Sequence, residues 1–245
     1  KIEERVQSVS QTLNLASFLN MPARKLTADQ KQLISLGRGL VREDVAAVLM
    51  DEPLTVIDPD LKFRLRRSLK EINEQYKTTL VYVTHDQNEA MTFADNIIVM
   101  DQGEIVQVGL PKELFEKPKT TFVGYFIGSP AMNLFNSKVS SDYSIEFNNL
   151  LINTKTNLSK IKEKKIKFGI RSEFIKIAKD QTENLIDAKV SRVEDFGNFK
   201  LITGRVGDFE IKSKVERETS ISSENIRLYL PPDKCCVYFK DKLVQ

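Results

Sequence analysis

Two short apolar runs on either side of a charged, periodic segment constrain the fold of this chain more than any other feature. The runs are VAAVLM (45–50) and TLVYVT (79–84), and neither shows the apolar–polar alternation of a half-buried strand. Continuous apolar strands are typical of parallel sheets that are covered on both faces. The segment between them, 61–76, has helical periodicity. Strand, helix and strand at this spacing predict a βαβ unit and therefore a parallel sheet.

The segments around this unit have simpler signatures. Residues 1–16 carry apolar side chains at helical spacing and predict an amphipathic helix. A second helix is predicted to begin near Thr27, because Thr27 followed by Gln30 is typical of a capping box. The stretch 96–109 predicts a β-hairpin that turns at Gln102-Gly103.

The pattern changes after Gly128-Ser129-Pro130. From about residue 137 the chain has short β-prone stretches separated by Gly, Asn, Asp and Ser. These stretches read SIEF, IKFGI, FIKIA, DAKVSRVED, FKLITGRV and EIKSKV. Their spacing predicts a small all-β barrel or sandwich, with a domain boundary near residue 130.

Composition excludes several classes of protein. A chain of 245 residues with 41% hydrophobic and 29% charged residues is typical of a soluble globular protein with one large domain or two smaller ones. The longest apolar run, 45–50, is far shorter than the ~20 residues of a membrane helix. A net charge of +3 is too mild to indicate nucleic-acid binding, and the basic stretch 160–168 is interrupted by Glu163. Alternating lysines on a strand are usually a solvated face.

The two cysteines, Cys235 and Cys236, are adjacent. This spacing is not a disulfide framework, and it favours a reducing cytosol. No histidine or further cysteine lies nearby to complete a soft-metal site, so packing is the better interpretation of the pair.

Polar side chains follow both predicted strands. Asp51 and Glu52 end the first, and Thr84, His85 and Asp86 follow the second. Ligands of open parallel sheets bind outside these carboxyl ends. One carboxylate could hold Mg²⁺, the next could activate a water molecule, and the imidazole could contact a γ-phosphate, which is the chemistry of phosphoryl transfer to water. A solvated acidic turn and a structural histidine are the alternatives for each feature alone, whereas their combination favours a functional site.

These residues resemble the ATP-binding subunits of ABC transporters. AVLMDEP resembles the Walker B strand, TVID the D-loop, VYVTHDQNEA the switch-histidine segment, and LTADQ the signature usually written LSGGQ. Downstream, FIGSPAMNLF (126–135), GIRSEF (169–174) and LPPDKCCVYF (230–239) resemble the linker and barrel of the maltose and glycerol-phosphate importer branch. The implied fold is α/β: the C-terminal part of a P-loop ABC ATPase domain (1–128), followed by a linker and a small OB-like barrel (129–245).

The resemblance also implies roles, cofactors and partners. Asp51 would hold Mg²⁺, Glu52 would be the general base, His85 would sense the γ-phosphate of ATP, and Asp58 would contact the dimer interface. The residues that would face the nucleotide of a partner subunit are Leu26, Thr27, Ala28, Asp29 and Gln30. The implied partners are a second ATPase subunit in a head-to-tail dimer, transmembrane permease subunits and a regulator on the barrel. The implied location is peripheral, on the cytoplasmic face of the plasma membrane.

The sequence departs from the family pattern in two ways. No G-x-x-x-x-G-K-[ST] motif occurs in the 245 residues, and the adenine-stacking segment and glutamine loop are also missing. We therefore expect an N-terminal half that is cut from this sequence, is a separate chain or has been lost; without neighbours, the two apolar strands would expose apolar surface. The second departure is Ala28-Asp29 in place of Gly-Gly. Asp29 could repel a partner's phosphate, or could turn away and favour the helix dipole.

Two functions follow from these observations. The leading hypothesis is an ATP-hydrolysing, energy-coupling subunit of an importer for a sugar or glycerol phosphate. The alternative is a catalytically degenerate subunit or fragment that pairs with an intact ATPase half and acts through its barrel. A third, nucleic-acid binding through the barrel, is disfavoured by the charge pattern.

Overall fold

The computed structural model describes residues 2–42, 45–55, 57–162, 164–221 and 224–244. The chain divides into two compact units, unit 1 (Lys1–Ala94) and unit 2 (Asp95–Gln245). Position 1 of the predicted first helix, Val56 of the D-loop-like stretch and Glu163 of the basic stretch lie outside the described residues.

Unit 1 contains four α-helices and two strands among its described residues. In chain order they are α1 (Ile2–Thr12), α2 (Ala28–Leu40), β1 (Ala47–Asp51), α3 (Pro59–Tyr76), β2 (Thr79–Val83) and α4 (Gln87–Phe93). Strands β1 and β2 pair in parallel, with Asp51 opposite Val83. The predicted βαβ unit and its parallel pairing are therefore confirmed.

Helix α1 is shorter than the predicted helix over 1–16. It ends at Thr12, and a separate 3₁₀ turn covers Ala16–Phe18. Asn14 between them has a φ of 55°. A left-handed residue of this kind ends a helix, and asparagine tolerates that conformation better than most residues.

The core of unit 1 lies between the helices and one face of the two strands. It is built from buried side chains of α1, α2 and α3 together with residues of β1 and the turn that follows it, including Leu36, Met50, Leu54 and Leu69. The opposite face of the strands is exposed at Leu49, with 77% of the residue accessible. Val81 and Val83 are exposed as well. The expected cover on both faces is therefore absent in the part of the chain that the structure describes, and the expected exposed apolar surface is present.

Unit 2 begins with a hairpin and two short helices and continues into two sheets. The elements are β3 (Ile97–Asp101), β4 (Glu104–Gly109), α5 (Pro111–Glu116), α6 (Thr121–Phe126), β5 (Asn133–Ser141), β6 (Ser144–Phe147), β7 (Leu150–Asn153), β8 (Lys165–Ile170), β9 (Lys176–Ile177), β10 (Leu185–Asp195), β11 (Phe199–Val206), β12 (Phe209–Glu216), β13 (Asn225–Tyr229), β14 (Cys236–Phe239) and β15 (Lys242–Leu243). The hairpin turns at Gln102 and Gly103 as predicted, with φ values of 48° and 84°.

The two large sheets of unit 2 enclose a common apolar core. Their strand orders are β12-β11-β10-β13-β9 and β15-β14-β8-β5-β6-β7. Side chains from both sheets meet in one buried cluster, among them Phe147, Phe168, Ile202 and Leu228. The predicted all-β region is confirmed. The compact units divide between Ala94 and Asp95, so that the hairpin, α5 and α6 group with the β-sheets, whereas the sequence placed a boundary near residue 130.

Candidate functional site

The parallel pairing of β1 with β2 brings two of the predicted site residues together. Glu52 follows β1, and its backbone N–H donates to the carbonyl of Val83 at the end of β2, over 2.9 Å. Glu52 has a φ of 47°, an uncommon conformation for a residue that is not glycine. The backbone thus turns sharply where the carboxylate leaves the sheet.

The Glu52 carboxylate contacts the only histidine of the chain. Its Oε1 lies 2.5 Å from Nδ1 of His85 and also accepts from the His85 backbone N–H over 3.2 Å. Its Oε2 accepts from the Thr55 hydroxyl over 2.8 Å. The site is open to solvent, since 76% of the His85 side chain and 35% of the Glu52 side chain are exposed.

This contact moves both pKa values in the directions expected for an ion pair. Hydrogen bonds from His85 and then Thr55 lower the pKa of Glu52. The Glu52 carboxylate raises the pKa of His85. The arrangement therefore holds a carboxylate that stays ionised at neutral pH beside an imidazole that readily takes up a proton.

Gln32 is a residue of this site that the sequence did not indicate. Its side-chain amide donates to the carbonyls of Glu52, over 3.2 Å, and Pro53, over 2.7 Å. These bonds tie α2 to the turn that presents the carboxylate. The only available signal was its place on the helix that begins within LTADQ. Every residue type has a backbone carbonyl, so the side chains of Glu52 and Pro53 do not reveal that their carbonyls accept these bonds.

Two further predicted site residues lie at the end of β1 and immediately before α3. Asp51 is exposed at the last position of β1, and Asp58 is exposed immediately before α3, where its carbonyl accepts from the Lys62 N–H over 2.8 Å. No group of three or more His, Cys, Asp or Glu in the described ranges is arranged to hold a metal ion. A magnesium ion bound with nucleotide commonly uses only one or two protein carboxylates, with phosphate and water as further ligands, so the exposed carboxylate of Asp51 fits such an ion.

The segment 26–30 forms the predicted start of a helix. Leu26 is buried, and Thr27 caps α2 in a capping box with Gln30. The Thr27 hydroxyl also donates to the Asp29 carboxylate and lowers its pKa. Ala28 is the first residue of α2. Within the described residues, no hydrogen bond or ion pair joins this segment to Asp51, Glu52 or His85.

In unit 2, a fully buried arginine explains one of the sequence landmarks. Arg171, within GIRSEF, donates from Nε to the Phe115 carbonyl over 2.8 Å and from Nη1 to the carbonyls of Gly124, over 3.0 Å, and Ile127. It therefore joins the end of β8 to both short helices that precede β5. The φ of Gly128 is +104°, and a Cβ there would lie 2.6 Å from Nη1 of Arg171, so glycine is required at this position.

The cysteine pair packs, as the sequence favoured. Cys235 and Cys236 are both buried and not joined in a disulfide, and burial raises the pKa of each thiol.

Comparison with known proteins identifies the relatives of this chain. Residues 128–175 match the MalK OB fold domain. The chain is 36% identical over 232 residues to the trehalose/maltose import ATP-binding protein MalK of Thermococcus litoralis, a match that covers 90% of this chain and 62% of the relative. The chain is homologous to the ATP-binding subunits of carbohydrate-type ABC importers.

Two further relatives support the same assignment. The oligosaccharides import ATP-binding protein MsmX of Bacillus subtilis is 34% identical over 233 residues, covering 91% of this chain and 63% of MsmX. The sn-glycerol-3-phosphate import ATP-binding protein UgpC of Pectobacterium atrosepticum is 35% identical over 221 residues, covering 89% of this chain and 61% of UgpC. The chain thus spans about three-fifths of the length of these curated relatives. The family resemblance and the fold class stated from the sequence are confirmed.

Proposed function

We propose that this chain is part of an ATP-binding and ATP-hydrolysing subunit that drives an ABC importer for a sugar or a glycerol phosphate. The observation that carries the proposal is the contact between Glu52 and His85 at the ends of two parallel strands. The relatives support it, since their names describe import of trehalose or maltose, oligosaccharides and sn-glycerol-3-phosphate.

In this proposal the residues divide the work of ATP hydrolysis. Asp51 holds Mg²⁺, which neutralises charge on the phosphates when it is bound with ATP. Glu52 orients the attacking water and accepts its proton once His85 has left its Oε1. His85 leaves Glu52 to donate a hydrogen bond to the γ-phosphate, and its exposed side chain is free to make that movement.

The remaining predicted residues face a second subunit. We place Leu26, Thr27, Ala28, Asp29 and Gln30 against the partner's nucleotide and Asp58 at the dimer interface. The positive end of the α2 dipole suits an anionic partner. Asp29 already accepts from Thr27 within its own chain, which favours the interpretation in which it turns toward the helix start.

The proposed assembly is a head-to-tail dimer of ATPase subunits on the cytoplasmic face of the membrane, bound to permease subunits. No helix within the described ranges is long and apolar enough to cross a membrane. We keep residues 1–128 as the ATPase part and 129–245 as the linker and barrel, on which a regulator would dock. The comparisons give no support to the catalytically degenerate alternative.

The decisive experiment is the substitution Glu52→Gln in the complete transporter. We expect ATP hydrolysis to fall by roughly 10²- to 10⁴-fold, the contribution typical of a positioned acid–base group. Glu71→Gln, at an exposed glutamate of α3 paired with Arg67, is the matched control and should leave hydrolysis unchanged. Equal activity of Glu52→Gln and the parent protein would refute the proposed role.

A second measurement concerns the 245-residue chain by itself. Because its sequence contains no phosphate-loop motif, we expect it to bind ATP only weakly. Micromolar binding in a nucleotide titration would overturn this expectation.

A further inference from the structure

The glutamate within the switch-histidine segment is buried, unlike the partly exposed Glu52. Glu89, on α4, is 4% exposed. Its Oε2 accepts from the hydroxyls of Tyr82, over 2.9 Å, and Thr84, over 3.0 Å. Its Oε1 lies 3.3 Å from Nζ of Lys62 and 3.9 Å from Nη1 of Arg66, both on α3. A buried carboxylate is stable only when it is paired in this way, and it then holds its partners in fixed positions.

Hydrogen bonds link Glu89 to the residues on both sides of His85, Thr84 and Asp86. The Thr84 hydroxyl donates to Glu89 and accepts from the Asp86 N–H over 3.0 Å. The Asp86 carboxylate in turn accepts from the N–H groups of Asn88, over 2.8 Å, and Glu89, over 3.3 Å, and so caps α4. The backbone on each side of His85 is therefore anchored to one buried carboxylate, while the imidazole itself stays exposed.

The same carboxylate connects this segment to the start of α3. Lys62 reaches Glu89 with its side chain, and its backbone N–H donates to the carbonyl of Asp58 over 2.8 Å. The network therefore spans from the residue that precedes α3 to the residues that flank His85.

We propose that Glu89 is a positioning residue for His85, acting through the Thr84 hydroxyl that connects it to Asp86. The expected effect of Glu89 on ATP hydrolysis rests on the proposed function. Its expected effect on the position of His85 does not. The alternative is that Glu89 only stabilises the fold. The two hydroxyls that donate to Oε2 of Glu89 distinguish these roles. Thr84 adjoins His85, whereas Tyr82 lies within β2, three residues before His85.

The test compares Glu89→Gln, Thr84→Val and Tyr82→Phe in the full chain. Thr84→Val and Tyr82→Phe each remove one hydroxyl from the same carboxylate oxygen, so they are matched in the bond that is lost. Since His85 is the only histidine, the NMR signal of its Cε1–H group at a fixed pH reports its surroundings without overlap. The variant Glu52→Gln supplies the reference signal of a His85 that has lost its carboxylate partner.

We expect Glu89→Gln and Thr84→Val to move the His85 signal toward this reference, and Tyr82→Phe to leave it in place. In the complete transporter, Thr84→Val should lower kcat by roughly ten- to a hundredfold with little change in KM, as expected for a misplaced reacting group. A His85 signal unchanged in Thr84→Val, or moved equally by Tyr82→Phe, would overturn the positioning role. If Glu52→Gln leaves hydrolysis intact while the signals shift as described, the proposed function fails and the positioning role stands.

Discussion

The buried guanidinium of Arg171 permits a quantitative prediction about unit 2. It is 0% exposed and donates three hydrogen bonds to backbone carbonyls, those of Phe115, Gly124 and Ile127. Hydrogen bonds to a charged group contribute ~1.5–3 kcal/mol each, which gives a gross stabilisation of roughly 5–9 kcal/mol. Burying the cation costs several kcal/mol in return, and burial accordingly lowers the pKa of Arg171.

The net contribution of Arg171 to the stability of unit 2 can be estimated from the substitution Arg171→Met. Methionine fills much of the volume but offers no donor, so the carbonyls of Phe115 and Ile127 lose the Arg171 bond, whereas that of Gly124 keeps the Met132 N–H at 3.2 Å. Leaving a buried acceptor without a donor costs about 1–3 kcal/mol, which gives roughly 2–6 kcal/mol for two carbonyls, and we expect a loss near the lower end because the burial cost of the cation is also removed. Native-state amide hydrogen exchange of β5 and β8 measures this loss within unit 2.

The matched control is an exposed arginine of the same unit. Arg227 makes a bidentate pair with Asp187, at 2.7 and 3.0 Å, and both side chains are exposed. Arg227→Met should change the opening free energy far less, because solvent and salt screen such a pair. A loss in Arg171→Met as small as the loss expected for this exposed pair would show that the three carbonyl bonds of Arg171 contribute no net stability.

Three further predictions concern particular residues. Glu52→Gln should lower the pKa of His85 toward its ordinary value in an NMR titration, because the carboxylate raises it. The stability from this contact should be fully present between the ordinary pKa values of the two groups, and lost as pH falls through the lowered pKa of Glu52 or rises through the raised pKa of His85. An unaltered titration would contradict the contact. Thr27→Ala should destabilise unit 1 by about 1 kcal/mol through loss of the α2 cap, whereas Thr27→Ser keeps the hydroxyl and should not. Equal thermal unfolding of the two variants would contradict the role of the cap. Gly128→Ala should destabilise unit 2 by about 1–3 kcal/mol because φ is +104° and Arg171 leaves no room, and exchange rates in β8 equal to the parent's would refute this.

The parts of the structure that were predictable depend on local signals. The hairpin at Gln102-Gly103 follows from turn chemistry, and the capping box at Thr27 from the spacing of two side chains. The approach of Glu52 to His85 followed from one inference about topology, since neighbouring parallel strands end at the same edge.

Other features depend on contacts that leave no mark in the sequence. The run 45–50 has no alternation, so it could not show that Leu49 is exposed while Met50 is buried. Arg171 and Gln32 donate to backbone carbonyls, which every residue type carries, and no pattern of side chains identifies such partners.

The two glutamates near the switch-histidine segment differ in burial, and burial determines what each can do. Glu89 is 4% exposed and paired with four side chains, so moving it would leave a buried charge without partners, which is costly. The Glu52 side chain is 35% exposed, and water can replace His85 or Thr55 as its partner at little cost. In the proposed mechanism Glu52 must exchange its partner for a water molecule, which its partly exposed side chain permits, whereas the proposed positioning of His85 depends on the buried contacts of Glu89. Substitutions at Glu52 should therefore change chemistry with little loss of stability, whereas substitutions at Glu89 should change stability and the position of His85 together.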